Sequence, residues 1–131
     1  MIISIPVSSV FSLCFTLLII VLAMQVVRCR KRHKVGYGDN ENIELQCAMS
    51  AHSNAVENIP LALLLLILLE LNGVDQIILI ILGTAFLLAR IIHARGLLKS
   101  VSVSFGRTYG TLFSWLILII MAVMNVVYAV K

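Results

Sequence analysis

Ser50-Ala51-His52-Ser53-Asn54-Ala55-Val56-Glu57-Asn58-Ile59-Pro60, continuing into the unbroken hydrocarbon of Leu61-Ala62-Leu63-Leu64-Leu65-Leu66-Ile67-Leu68-Leu69, is the stretch that decides the fold. Its second half is as apolar as a lipid tail. A hydrocarbon core of about 30 Å takes roughly 20 helical residues, and the backbone groups of such a segment must be satisfied within it, which selects a helix. Its first half carries hydroxyls, amides and a carboxylate toward membrane depth, where each costs free energy unless it has a partner or a task. Ser50, Ser53, Asn54 and Glu57 fall at i, i+3, i+4 and i+7 and so share one helix face. Pro60 removes the hydrogen bond to the carbonyl of Val56, and a kink is expected there.

Three further runs resemble this one in length. Apolar segments cover residues 5–27, 76–95 and 107–130, and with 43–71 they make four membrane-crossing helices. Hydrophobic residues are 61% of the 131-residue chain and charged residues 12%, far from the soluble average. The expected architecture is all-α: an integral membrane four-helix bundle forming a single domain over residues 1–131.

The first run does not read as a cleaved signal. No basic residue precedes it, and it is followed at once by Arg28-Cys29-Arg30-Lys31-Arg32-His33-Lys34. Five of the ten basic residues lie in this loop, so the net charge of +4 marks topology rather than nucleic-acid binding. Positive residues recur around Arg95, Lys99 and Arg107, whereas the charges at the short link Asn72-Gly73-Val74-Asp75 are acidic, Glu70 and Asp75. Loops one and three are therefore expected in the cytoplasm and both termini outside. Asn42 is the expected N-cap of the second helix, and Gly96 the expected C-cap of the third. Cys14, Cys29 and Cys47 read as free thiols, and no metal-ligand spacing is present.

Arg90 and His93 stand one turn apart near the cytoplasmic end of the third run, and Arg107 and Thr108 open the fourth at similar depth. With Glu57 these groups converge at one level. A structural account is a Glu57–Arg90 ion pair with Arg107 snorkelling to the interface. A functional account is a mouth that binds an anion and a thiol, because guanidinium groups clamp carboxylates and favour thiolates.

Arg28-Cys29-Arg30-Lys31-Arg32, then Gly38-Asp39-Asn40-Glu41-Asn42-Ile43-Glu44-Leu45, then Ala51 through Leu63 resemble the MAPEG family, the membrane-associated proteins in eicosanoid and glutathione metabolism. The first loop is most similar to the small bacterial members. The resemblance implies a homotrimer in a bacterial inner membrane, with glutathione held between subunits near the cytoplasmic face and a lipophilic small-molecule substrate arriving from the membrane lipids. It places Arg28, Asn54, Glu57, Arg90 and His93 as glutathione-binding residues and Arg107 with Thr108 as the pair that activates the thiol. The chain departs from the family pattern at Ser50 and Ser53, where catalytic relatives carry arginines, and at Asn58 and Leu97 in place of tyrosines. The expected function is a glutathione-dependent transferase or peroxidase acting on lipophilic electrophiles. The departures open a second expectation, a non-catalytic member that binds a lipid or a membrane partner. A small proton-coupled exporter is disfavoured, because the first span contains no acid.

Overall fold

The computed structural model describes residues 4–99 and 105–130. Four helices follow in order: α1 Pro6–His33, α2 Ile43–Leu71, α3 Gln76–Lys99 and α4 Phe105–Ala129. Each is long and apolar enough to cross a membrane. α2 and α3 form the middle of the bundle. α1 packs on both of them and α4 packs on both of them, but α1 and α4 do not meet among the described residues.

Local chemistry sets the helix ends. Pro6 opens α1, where its missing N–H is no loss. Asn42 caps α2, its Oδ1 accepting from the Leu45 N–H at 2.9 Å, and α2 runs without interruption through Pro60. Two ends differ from the sequence reading. α1 does not stop near residue 27 but carries its basic tail in helical form to His33. At 1.5 Å per residue its 28 residues reach about 42 Å, so the last turns project beyond a 30 Å hydrocarbon layer. There Arg32 and His33 meet Glu44 of α2 at 2.6 and 2.8 Å. Arg30 donates to the Gly38 carbonyl at 2.8 Å, tying the first loop back to the helix.

The second difference is Gly96. It is not a C-cap, because α3 continues to Lys99 and Gly96 is buried within it. It lies where α4 passes: a Cβ placed on Gly106 would stand 3.7 Å from the Gly96 Cα. The connection expected over residues 97–106 is thereby shortened at both ends, and residues 100–104 lie outside the described part of the chain.

In the first loop, Asp39 accepts from the Glu41 N–H at 3.1 Å and from the Gln46 amide at 2.9 Å. These bonds, the backbone one foremost, hold its carboxyl below the usual carboxylate range. A lowered folded-state pKa gives stability that is present above the unfolded value of about 3.9 and is lost as the pH falls through the folded one.

Small side chains set the packing distances. Ala48, Ala51, Ala55 and Ala62 are buried along α2. On α4, Gly106, Gly110 and Ser114 repeat every fourth residue, a spacing that lets membrane helices approach closely. Phe11, Phe15 and Phe86 join α1 to α3, with Phe15 and Phe86 edge to face at 5.7 Å. Away from the basic end, Asn125 of α4 donates to the Leu65 carbonyl of α2 at 3.0 Å, and Asn72 donates to Asn125 Oδ1 at 3.3 Å.

Glu70 holds the start of α1. Its two carboxylate oxygens accept from the Val7 and Ser8 N–H groups at 2.9 and 2.7 Å. A carboxylate there satisfies orphan donors and complements the helix dipole. Glu70→Gln keeps one acceptor and removes the charge, and is expected to cost about 1–2 kcal/mol. A thermal melt in detergent would show this as a lower midpoint with the helical signal intact at low temperature. An unchanged midpoint would remove Glu70 from the account of how α1 is held.

Candidate binding site on α2 and its buried arginine

The polar face of α2 divides in two. Ser50, Ser53 and Glu57 are exposed, while Asn54 is half-buried between them and the interior. Met49, Ser50, Ser53, Asn54 and Glu57 line an open groove of about 360 Å³, toward the small end of ligand-site volumes, roughly 300–1,000 Å³. Ser53 donates its hydroxyl to Glu57 Oε1 at 3.0 Å. Glu57 makes no ion pair among the described residues.

Behind Asn54 lies Arg90, only 2% exposed. The Arg90 guanidinium donates through Nη2 to Asn54 Oδ1 and through Nη1 to the Ser114 hydroxyl at 3.3 Å. Ser114 in turn donates to the Gly110 carbonyl at 2.7 Å. The Glu57–Arg90 ion pair of the structural account is not formed. The buried cation is held by an amide and a hydroxyl, both neutral, and its Nε has no hydrogen-bond partner. Asn58 also donates to Asn54, at 2.9 Å to its carbonyl and 3.3 Å to its Oδ1. Asn54 Oδ1 is thus committed to the interior, whereas its Nδ2 donates to nothing among the described residues.

His93, one turn beyond Arg90, is 3% exposed. Its Nδ1 lies 3.0 Å from the Arg107 carbonyl and 3.0 Å from the Thr111 hydroxyl. A carbonyl can only accept, so Nδ1 carries a proton and donates to it. The Thr111 hydroxyl donates to the same carbonyl at 2.9 Å, so it receives what Nδ1 has left to give. In the neutral ring Nε2 is then an acceptor, and it is buried with no partner. This junction needs α3 and α4 in near contact, which Gly110 permits: a Cβ there would fall 2.7–2.8 Å from the His93 backbone nitrogen, Cα and Cβ.

The sequence-predicted residues therefore fall into two sets. Asn54, Arg90 and His93 are joined to the interior of the bundle, His93 through the backbone of Arg107. Arg28 on α1, Glu57 on α2, and the side chains of Arg107 and Thr108 on α4 are exposed on its outside. No hydrogen bond links Arg28 or Thr108 to the others among the described residues. The hydroxyl that meets His93 belongs to Thr111, not Thr108. Thr111, Ser114 and Gly110 were missed from the sequence, although the fourfold spacing of Gly106, Gly110 and Ser114 marks that face of α4 as the one pressed on a neighbour.

The MAPEG family model matches residues 8–127 of the chain. Two curated relatives, the inner membrane protein YecN of Escherichia coli strain K12 and that of Escherichia coli O6:H1, are each 34% identical over 122 residues, covering 93% of this chain and 92% of theirs. The match takes in all of the groove, the buried arginine and the His93 junction, and the chain belongs to the MAPEG family.

Proposed function

We propose that this protein is a glutathione-dependent transferase or peroxidase acting on lipophilic electrophiles, assembled as a homotrimer in a bacterial inner membrane with the basic helix ends in the cytoplasm and both termini outside. The observation that carries the reading is the exposed, unpaired carboxylate of Glu57 in a membrane-spanning helix, beside a groove that backs onto a buried cation with no acid of its own. A carboxylate at that depth calls for a cationic partner. The ammonium group of a tripeptide thiol answers it, and so does an arginine of a neighbouring subunit.

The residues fit glutathione by chemistry. Glu57 accepts from its amino group, the unused Asn54 Nδ2 donates to a carboxylate, and Arg28 supplies a further cation at the mouth. Arg90 and His93 act from behind, fixing the rotamer of Asn54 and the start of α4. Bound glutathione would supply the sulfur nucleophile. Arg107, with Thr108 beside it, would favour the ionised thiol, which in water titrates near about 8.5. The exposure of Arg28, Glu57, Arg107 and Thr108 on different helices supports a site completed between subunits. Relatives described as inner membrane proteins support the location.

Calorimetric titration of detergent-purified protein with glutathione tests the reading. Micromolar to low-millimolar binding is expected, weakened by Glu57→Gln and by Arg107→Ala, with Arg107→Ala also lowering any thiol-transfer rate about tenfold or more at unchanged oligomeric mass. Absence of heat at ~10 mM glutathione, where binding is worth under about 3 kcal/mol, would replace this reading with the second one. That second reading is a non-catalytic member binding a lipid or membrane partner. It is favoured by Ser50 and Ser53, which line the groove with small hydroxyls instead of cations.

A further inference from the structure

A separate concavity lies between α3 and α4, with a volume of about 260 Å³. Ala85, Leu88 and Ile92 line it from α3, and Phe105, Tyr109 and Phe113 from α4. No polar surface enters it. The three rings form a ladder, with centroids 4.1 Å apart for Phe105 and Tyr109 and 6.4 Å for Tyr109 and Phe113. An apolar groove on a membrane helix would by itself be ordinary lipid-facing surface. What distinguishes this one is its upper end.

On α3, Leu88, Ile92, Arg95 and Lys99 are spaced four, three and four residues apart, so the groove-lining face continues directly into two cations. They stand one and two turns past Ile92, about 4.5 and 10 Å along the axis. Side chains on a helix lean toward its N-terminus, which from these positions means back toward the groove. Both are exposed, and neither makes a hydrogen bond or ion pair among the described residues. Neither α3 nor α4 contains an acidic residue that could neutralise them. The combination is a slot sized for hydrocarbon, an aromatic wall, and two unneutralised positive charges at the depth of a headgroup.

We propose that this face is a binding site for one anionic glycerophospholipid, its acyl chain in the α3–α4 groove and its phosphate against Arg95 and Lys99. A zwitterionic lipid would bring its own cation to the same place and lose the advantage. The site shares no residue with the groove on α2, so it stands or falls apart from the glutathione reading.

Native mass spectrometry of detergent-released protein, given equal amounts of phosphatidylglycerol and phosphatidylcholine, is the test. Wild type is expected to retain phosphatidylglycerol preferentially. Arg95→Gln with Lys99→Gln is expected to reduce that preference about thirtyfold, near fivefold for each interfacial cation. Ala85→Trp, filling the groove, is expected to lower retention of both lipids. Circular dichroism confirms that each variant folds; should Ala85→Trp fail, the charge variant at two exposed positions decides. Equal retention of the two lipids by wild type would overturn the proposal, as would a preference unaltered in the double-glutamine variant. Displacement of phosphatidylglycerol by inorganic phosphate at matched concentration would also overturn it, because the acyl chain would then contribute nothing.

Discussion

Gly110→Leu is expected to separate α3 from α4 and leave little folded protein in detergent, and Gly110→Ala to melt measurably below wild type. The contact responsible is backbone against backbone. Even a single methyl at Gly110 would fall 2.7–2.8 Å from the His93 nitrogen, Cα and Cβ, none of which can swing away. Overpacking of this kind costs typically about 1–3 kcal/mol, while replacing a helical glycine by alanine returns at most about 1 kcal/mol of helix propensity. Three atoms that cannot move put this site at the upper end of the overpacking range, so the net for alanine is a loss of about 2 kcal/mol, and for leucine at least about 3 kcal/mol. Gly83 is the control. A Cβ there would approach Phe11 even more closely, at 2.5 Å, but the atom met is the edge of an aromatic side chain that can rotate. Gly83→Ala should therefore cost less than Gly110→Ala. The reverse order of melting midpoints would mean that α4 is held elsewhere, for example at Asn125.

Asn54→Ala is expected to destabilise the protein by about 2–4 kcal/mol, although Asn54 is only half-buried. Hydrogen bonds between neutral groups of membrane helices average about 0.6 kcal/mol, so an ordinary amide would not merit that figure. Asn54 is different because its Oδ1 is one of the two acceptors that Arg90 has among the described residues, the other being the Ser114 hydroxyl at 3.3 Å. Removing it leaves a buried guanidinium held by one neutral hydroxyl. The sharper test is the double substitution. Once Arg90→Leu has removed the charge, Asn54→Ala should add little, giving a coupling energy of about 1–3 kcal/mol in a double-mutant cycle. Strictly additive losses would show that the amide and the guanidinium are stabilised independently, and Arg90 would need another partner, supplied by a second subunit or a ligand.

The two predictions bear on function through the same residues. Gly110 sets how near α4 comes to His93, and the helix it positions carries Arg107 and Thr108 in its first turn. Asn54 stands between the outer groove and the buried arginine, so its rotamer decides whether an amide N–H is offered to a ligand. A substitution at either place is therefore expected to change glutathione binding, at Gly110 through the helix it positions and at Asn54 through the amide N–H it removes.

Hydropathy read along the chain was enough for the all-helical class, for four membrane-capable helices and for their order, because a stretch of hydrocarbon that must satisfy its own backbone has one solution. The Asn42 cap was equally legible, since it depends on groups three residues apart. The helix ends at His33 and Lys99 were not. Basic residues after an apolar run read as a loop, but Arg32 and His33 are kept helical in company with Glu44, twelve and eleven residues on. Gly96 read as a stop, whereas it lies buried inside α3, where Gly106 of α4 comes near its Cα.

The candidate site divides in the same way. Its residue types and their shared face on α2 were visible in the spacing of Ser50, Ser53, Asn54 and Glu57. Which of them Arg90 would choose was not. Asn54 and Glu57 lie three residues and hence about 60° apart around the helix, close enough to count as one stripe yet far enough for one to meet α3 and the other to face outward. The sequence by itself determined that this is a membrane bundle with a polar seam. The packing of α2 against its neighbours, with its small alanines buried, decided that the seam turns an amide inward to a buried cation and leaves its carboxylate outside, because hydrogen bonding is settled by distances of a few tenths of an ångström that no periodicity encodes.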